Sequence, residues 1–262
     1  MPDSCETSAL PELYRELASI SLDEGAVSYN QPSPKILNLA WEKEVPLIGV
    51  CPPRVNGEVF FEVMEKVCRI IDSYQPEAAR ELKEAAALLA GENPVWREAF
   101  ACKAVIPGAI PELAAQFGLP QEAGELLLNY TVRPFLREYS KKVSRLYDTE
   151  QWLKGFCPVC GSQPSMALLE KEAGRRYLSC GWCGTRWRFK RLGCPYCPCE
   201  ESQFFSVEGM ERYRVYYCDK CRRYIKTVDE RVAGTGDLDL FFEDISTIHL
   251  DLLARQEGYA NT

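Results

Sequence analysis

The sequence predicts an α+β protein: an all-helical N-terminal domain, two tandem four-cysteine metal modules, and a C-terminal helix. Three observations carry this. The first 152 residues hold no CxxC pair and show apolar positions at helical spacing. Four CxxC pairs then fall within 65 residues, among short alternating runs rich in Gly, Arg and aromatics. Leu240, Ile245, Ile248 and Leu252 finally recur at helical spacing again. The expected domains are 1–152, 153–193 and 194–262, the last including the C-terminal helix.

In the first domain, Pro11–Ile20 is a short amphipathic stretch. From Val59, the positions Phe60, Met64, Val67 and Ile71 mark one buried helical face. Pro76 opens a strong helix former, Glu77–Ala90, which Gly91 stops. Pro94 and Pro111 suit the first turns of two further helices. Leu128, Val132, Phe135, Tyr139, Val143 and Leu146 form one long stripe, with a kink expected at Pro134. About five to seven helices result.

The second half is built around Cys157/Cys160, Cys180/Cys183, Cys194/Cys197 and Cys218/Cys221. Nineteen residues separate the first two pairs and 20 separate the last two, so the segment reads as an internal duplication. A CxxC turn aims two sulfurs at one point, and a second CxxC on a hairpin closes the tetrahedron. Strands are expected at Met166–Leu169, Arg176–Ser179, Arg186–Phe189, Phe204–Val207, Arg214–Tyr217 and Tyr224–Val228. Such lobes are poor in apolar residues, so metal binding is part of their folding free energy. Gly234-Thr235-Gly236 is read as the turn before the last helix.

The eight paired cysteines are thus read as ligands of two mononuclear tetrathiolate metal ions. A redox dithiol is disfavoured because the flanks are hairpins rather than a βαβ unit. Four thiolates suit zinc and iron alike, and the Cys-Pro-x-Cys starts at Cys157 and Cys194 occur in both zinc ribbons and rubredoxin-like knuckles. Disulfides are disfavoured too. The cysteine total is 13, an odd number, and the chain of 262 residues is large enough to need no staples, which points to a reducing, cytoplasmic setting. Cys199 reads as an unpaired surface thiol. Cys51, Cys68 and Cys102 read as small buried hydrophobes, and Cys5 as part of a frayed terminus.

The sole histidine, His249, is expected at the core or its boundary on the last helix. One histidine makes His-based acid–base or metal hydrolysis improbable, and GxSxG, P-loop and HExxH signatures are absent. The chain is therefore read as a non-enzyme. No apolar run is long enough to span a bilayer, and Met1–Glu6 is polar and acidic, unlike a secretory signal.

Net charge is −7, but residues 151–231 hold 15 Lys and Arg against 9 Asp and Glu, making that segment +6 and the remainder −13. Arg175, Arg176, Arg186, Arg188, Lys190 and Arg191 interleave with Tyr177, Trp182, Trp187 and Phe189, as in some nucleic-acid-binding zinc ribbons. A solvated strand face opposite a packed one explains the alternation as well. An acidic pI of 5.1 disfavours nucleic acid as the partner.

The cysteine-rich half resembles the FdhE family of formate dehydrogenase accessory proteins. The likeness rests on Cys157-Pro158-Val159-Cys160-Gly161-Ser162-x-Pro164 and Arg176-Tyr177-Leu178-x-Cys180-x-x-Cys183-x-Thr185-x-Trp187. It continues through Cys194/Cys197, Cys218-x-x-Cys221-x-x-Tyr224-Ile225-Lys226, Glu243-Asp244, Leu250-Asp251 and Glu257-Gly258-Tyr259. The resemblance implies a helical domain followed by two rubredoxin-like modules, with iron the common metal. It implies a cytoplasmic maturation factor that binds the catalytic subunit of a molybdenum- or tungsten-dependent formate dehydrogenase. Trp182, Arg186, Trp187 and Arg188 are the residues expected on the partner surface. A rubredoxin-like electron carrier and a nucleic-acid-binding ribbon are the alternatives. Cys199 is an addition to the family pattern.

Overall fold

The computed structural model describes residues 6–89, 93–233 and 238–261. The chain forms two compact units, 1–142 and 143–262. The turn expected at Gly234-Thr235-Gly236, the helix end at Ala90-Gly91 and Cys5 lie outside the described residues.

The first unit runs α1 (Glu6–Ala18), β1 (Val27–Ser28), α2 (Pro34–Glu42), α3 (Leu47–Val50), β2 (Arg54–Val55), α4 (Gly57–Tyr74), α5 (Pro76–Leu89), α6 (Pro94–Ala104), α7 (Ala109–Gln116) and α8 (Gln121–Val143). Capping side chains set several starts. Asn56 accepts from the Val59 N–H at 3.3 Å, and Asn93 accepts from the Trp96 N–H at 2.8 Å, with Pro94 at the first helical position. Phe60, Met64, Val67 and Ile71 are buried, and Phe60 packs against Phe100 and Phe135. α8 continues through Pro134. The short helices α2 and α3 were not anticipated, because Pro46, Pro52 and Pro53 break up any long periodic pattern there. Cys51 and Cys68 are buried as expected, whereas Cys102 is only half-buried, its sulfur accepting from the Val55 N–H of β2 at 3.3 Å.

The second unit starts at Val143, ten residues before the boundary expected at Trp152. The cause is local packing. Tyr147 and Trp152 are buried and stacked at 5.6 Å, the Trp152 indole donates to the Phe156 carbonyl, and the Thr149 carbonyl accepts from the Arg188 N–H. A 3-10 turn, Ser144–Leu146, precedes this strap.

Six strands follow: β3 (Met166–Leu169), β4 (Arg176–Ser179), β5 (Arg186–Phe189), β6 (Gln203–Phe205), β7 (Tyr213–Cys218) and β8 (Arg223–Asp229). They form one sheet in the order β5-β4-β3-β8-β7-β6. Every neighbouring pair is antiparallel except β3 and β8, which run parallel with Met166 opposite Lys226. The two repeats are therefore not separate beads; each supplies three strands to a continuous sheet. α9 (Glu230–Ala233), α10 (Leu240–Ser246) and α11 (Ile248–Gln256) complete the chain.

The single C-terminal helix expected from the periodicity is two. The break falls at Thr247, whose hydroxyl donates to the Glu243 carbonyl at 2.7 Å. It changes which face is buried. Leu240 packs on Met166, Leu168 and Val228, and Leu250 and Ala254 pack on Val215 and Tyr224. Ile248 and Leu252 are more than half exposed instead. His249 is exposed too, with its Nε2 2.8 Å from Met210 Sδ, so it is not a core histidine.

Buried charges fasten the second unit. Lys226 lies on β8 with no exposure, and its ammonium reaches Asp244 Oδ1 at 2.8 Å and Asp251 Oδ2 at 2.7 Å. Tyr224 donates to the other Asp251 oxygen at 2.7 Å. Asp229, also buried, pairs with Arg214 at 2.8 Å and with Arg231 at 2.6 Å. The hydrogen bonds from Arg231, with Arg214 adding to them, hold its carboxyl below the ordinary 3.8. A depressed carboxylate pKa stabilises the fold fully above the unfolded-state value, and that stability is lost as pH falls through the folded-state value. Acid denaturation is therefore expected to steepen below about pH 4. Asp229→Asn should flatten this dependence, read as the urea midpoint at successive pH values from 5 downward. An unchanged pH slope in the variant would remove Asp229 as the cause.

Candidate metal centres

Each cysteine pair sits in a tight turn, and Cys180/Cys183 and Cys218/Cys221 directly join paired strands. In the first, the Cys157 N–H donates to the Ser162 carbonyl and the Gly161 N–H returns to Cys157 O. The second repeats this: Cys180 N–H to Thr185 O, and Gly184 N–H to Cys180 O. Closing that ring requires a left-handed residue directly after the second cysteine, and Gly161 and Gly184 supply it at φ 80° and 73°. After Cys221 the position is taken by Arg222 at φ 56°, held there by stacking on Tyr259 at 4.2 Å. After Cys197 it is Pro198, which has no N–H to give, and the turn keeps only the Cys194 N–H to Cys199 O bond. Cys199 thus contributes its backbone to the third turn, while its half-exposed thiol donates to the Glu201 carbonyl and joins neither group.

Two groups of four cysteines result, Cys157, Cys160, Cys180 and Cys183, and Cys194, Cys197, Cys218 and Cys221, the sulfurs within each lying inside 4.8 Å of one another. Cross-turn separations are 3.5 Å for Cys157–Cys183, 3.4 Å for Cys160–Cys180, and 3.6 Å for both Cys194–Cys221 and Cys197–Cys218. All eight are free thiols rather than disulfides. Metal–sulfur bonds of about 2.3 Å in a tetrahedron put sulfurs about 3.8 Å apart, so these quartets fit one ion each. The first group is completely buried; in the second, Cys197 and Cys221 are partly exposed.

Electrostatics makes the same point. Burial pushes the Cys157 and Cys194 thiols well above their ordinary value. At Cys183 burial acts the same way, but hydrogen bonds from its three cysteine neighbours and from Thr185 overcome it and drive the thiol well below. At Cys218 the Cys221 and Lys220 N–H groups overcome burial and bring it to about 7. Four buried sulfurs this close cannot all ionise without a cation, and a divalent ion at the centre resolves the conflict. The donor set is all thiolate, which suits zinc or iron.

A profile described as FdhE, central domain, matches residues 156–191, the segment of the first quartet. The FdhE homolog of Aquifex aeolicus is 35% identical over 139 residues, covering 51% of this chain and 47% of that protein. The homolog from Pseudomonas aeruginosa is 30% identical over 115 residues, 39% of this chain and 36% of its own length. The crystal structure of the FdhE protein from Pseudomonas aeruginosa matches the fold with a TM-score of 0.56 at 19% identity, over 98% of this chain and 84% of that one. The chain is similar in sequence to FdhE proteins over about half its length, and its fold matches that of an FdhE crystal structure. It spans less than half the length of these curated relatives in the matched sequence.

Within this FdhE fold the expected partner surface needs correction. Trp187 is fully buried, its indole donating to the Lys154 carbonyl at 2.8 Å, so it is a core residue. Alternation along β5 placed Trp187 and Phe189 on the inner face, and the sequence could not say that this face is covered. Arg186 is exposed and bonds the Leu238 carbonyl, while Trp182 and Arg188 are half-buried. The Lys226–Asp244–Asp251 cluster escaped notice, although all three lie in the quoted family segments. A lysine in an apolar strand was the available signal.

Among the described residues no helix is long and apolar enough to cross a membrane.

Proposed function

We propose that this protein is a non-enzymatic accessory factor for formate dehydrogenase. In this reading it acts in the cytoplasm as an adaptor for the catalytic subunit of a molybdenum- or tungsten-dependent enzyme. Its modules, 153–193 and 194–262, each hold one mononuclear metal ion, iron or zinc, through the eight paired cysteines. The observation that carries this reading is the pair of four-sulfur quartets on one sheet in a chain similar to FdhE proteins. The metal's part is structural: it fixes two turns per repeat, and the turns fix the strand ends. Trp182, Arg186 and Arg188 remain the proposed contact residues, without Trp187.

The test is affinity capture of the tagged protein from an anaerobic lysate, followed by mass spectrometry. A formate dehydrogenase catalytic subunit should be enriched, and a Cys180→Ser/Cys183→Ser variant should lose it. Equal recovery by the variant would separate partner binding from the metal lobe. Recovery of nucleic acid and ribosomal protein alone would favour the ribbon alternative.

A further inference from the structure

Arg176 departs from the pattern of the other arginines. It lies on β4 in the first repeat and is 1% exposed, and among the described residues it has no carboxylate partner. Its Nη1 donates to the Gly193 carbonyl at 2.9 Å, next to Cys194 of the second repeat. Its ring contacts are Tyr216 at 5.2 Å and Phe189 at 5.7 Å. The other two nitrogens, Nε and Nη2, have no hydrogen-bond partner. Arg176 lines a cavity of about 10 Å³ together with Cys194, Cys218, Ser202 and Arg223, and no acidic residue lines it. The Ser202 hydroxyl is likewise buried without a partner.

A buried guanidinium without a counter-charge is strongly unfavourable. Burial does depress its pKa, to about 10, which leaves it protonated at neutral pH. The anion near it is the second quartet: four thiolates around a divalent ion carry a net charge of −2, and Cys194 and Cys218 line the same small cavity as Arg176. Arg223 belongs to the same setting, lying 3.7 Å over the Tyr196 ring. The first quartet is contacted instead by the neutral Thr185 hydroxyl, 3.0 Å from Cys183 Sγ.

We infer that Arg176 is the buried counter-ion of the second four-cysteine centre, a positioning residue that the first repeat contributes to the metal site of the second. This rests on the reading of the quartets as metal sites. The guanidinium stabilises the charged, fully metallated quartet, so the second centre depends on the first repeat for its retention of metal. The low local dielectric makes one missing charge worth on the order of a tenfold change in metal release.

The experiment compares the intact protein with Arg176→Met and Arg176→Lys. Each is alkylated with N-ethylmaleimide over time and digested, and the modified cysteines are quantified by mass spectrometry. In Arg176→Met, Cys194, Cys197, Cys218 and Cys221 should be labelled about tenfold faster, with Cys157, Cys160, Cys180 and Cys183 unchanged. Arg176→Lys keeps the charge but not the fork geometry, and should label at close to the wild-type rate. Equal labelling of both quartets in Arg176→Met, failure of lysine to rescue, or no change in either variant overturns the assignment and leaves Arg176 a packing element. Rapid labelling of all eight cysteines in the unmutated protein would overturn the metal reading itself.

Discussion

Replacing Cys157 by serine is expected to open the whole first repeat while the N-terminal helices stay folded. Loss of one thiolate leaves three buried sulfurs and no tetrahedral site. Structural zinc sites in zinc-finger peptides contribute about 10–16 kcal/mol, comparable to the entire stability of a domain. The first repeat has little to set against that loss, since its strands are four residues each. Amide hydrogen exchange provides the measurement. Protection in β3, β4 and β5 should fall to that of an unfolded chain, and protection in α4 and α8 should not change. A strong chelator acting on the unmutated protein should reproduce the pattern. Native protection in β4 after metal removal would mean that the sheet stands without its ions.

The second large effect is expected at Lys226. Truncation to alanine leaves the Asp244 and Asp251 carboxylates facing each other with their shared cation gone. Breaking a buried pair in this way costs about 3–5 kcal/mol. The loss should appear as a lower urea midpoint of the C-terminal unit, and α10 and α11 should exchange faster than β7. Asp251→Asn in the Lys226→Ala background should recover part of the stability, because it removes one orphaned charge. Additive effects of the two changes would show that the groups are not coupled.

Much of this architecture could be read from the chain before any coordinates. The strands β3, β4 and β5 fall where alternation and the cysteine turns put them, because a short ribbon bounded by tight cysteine turns has little freedom of register. The helices α4 and α5 were equally plain, marked by Phe60, Met64, Val67 and Ile71 in one case and by Pro76 in the other. What escaped the sequence was long-range. Nothing local says that Met166 lies beside Lys226, since parallel pairing between the repeats depends on two strands some 60 residues apart. Nor does periodicity reveal the break at Thr247, where a buried lysine draws Asp251 inward and turns Ile248 and Leu252 to the outside. Trp187 was misplaced for a related reason: a strand face is only known as surface once its cover is known.

The strand order has a further consequence. The repeats follow one another by translation, the first strand of one against the last strand of the other, and a translational stack has no natural end. Its outer strands, β5 and β6, are the same two kinds that already join at β3 and β8, so another repeat would find a matching edge on either side. Both outer edges of the two-unit sheet are blunted. At one end the Thr149 carbonyl occupies the Arg188 N–H and arginines flank the strand; at the other β6 is only three residues long. Both are the devices by which soluble sheets refuse further strands. The strap 147–152 therefore covers part of the β5 edge, where a further strand would otherwise add.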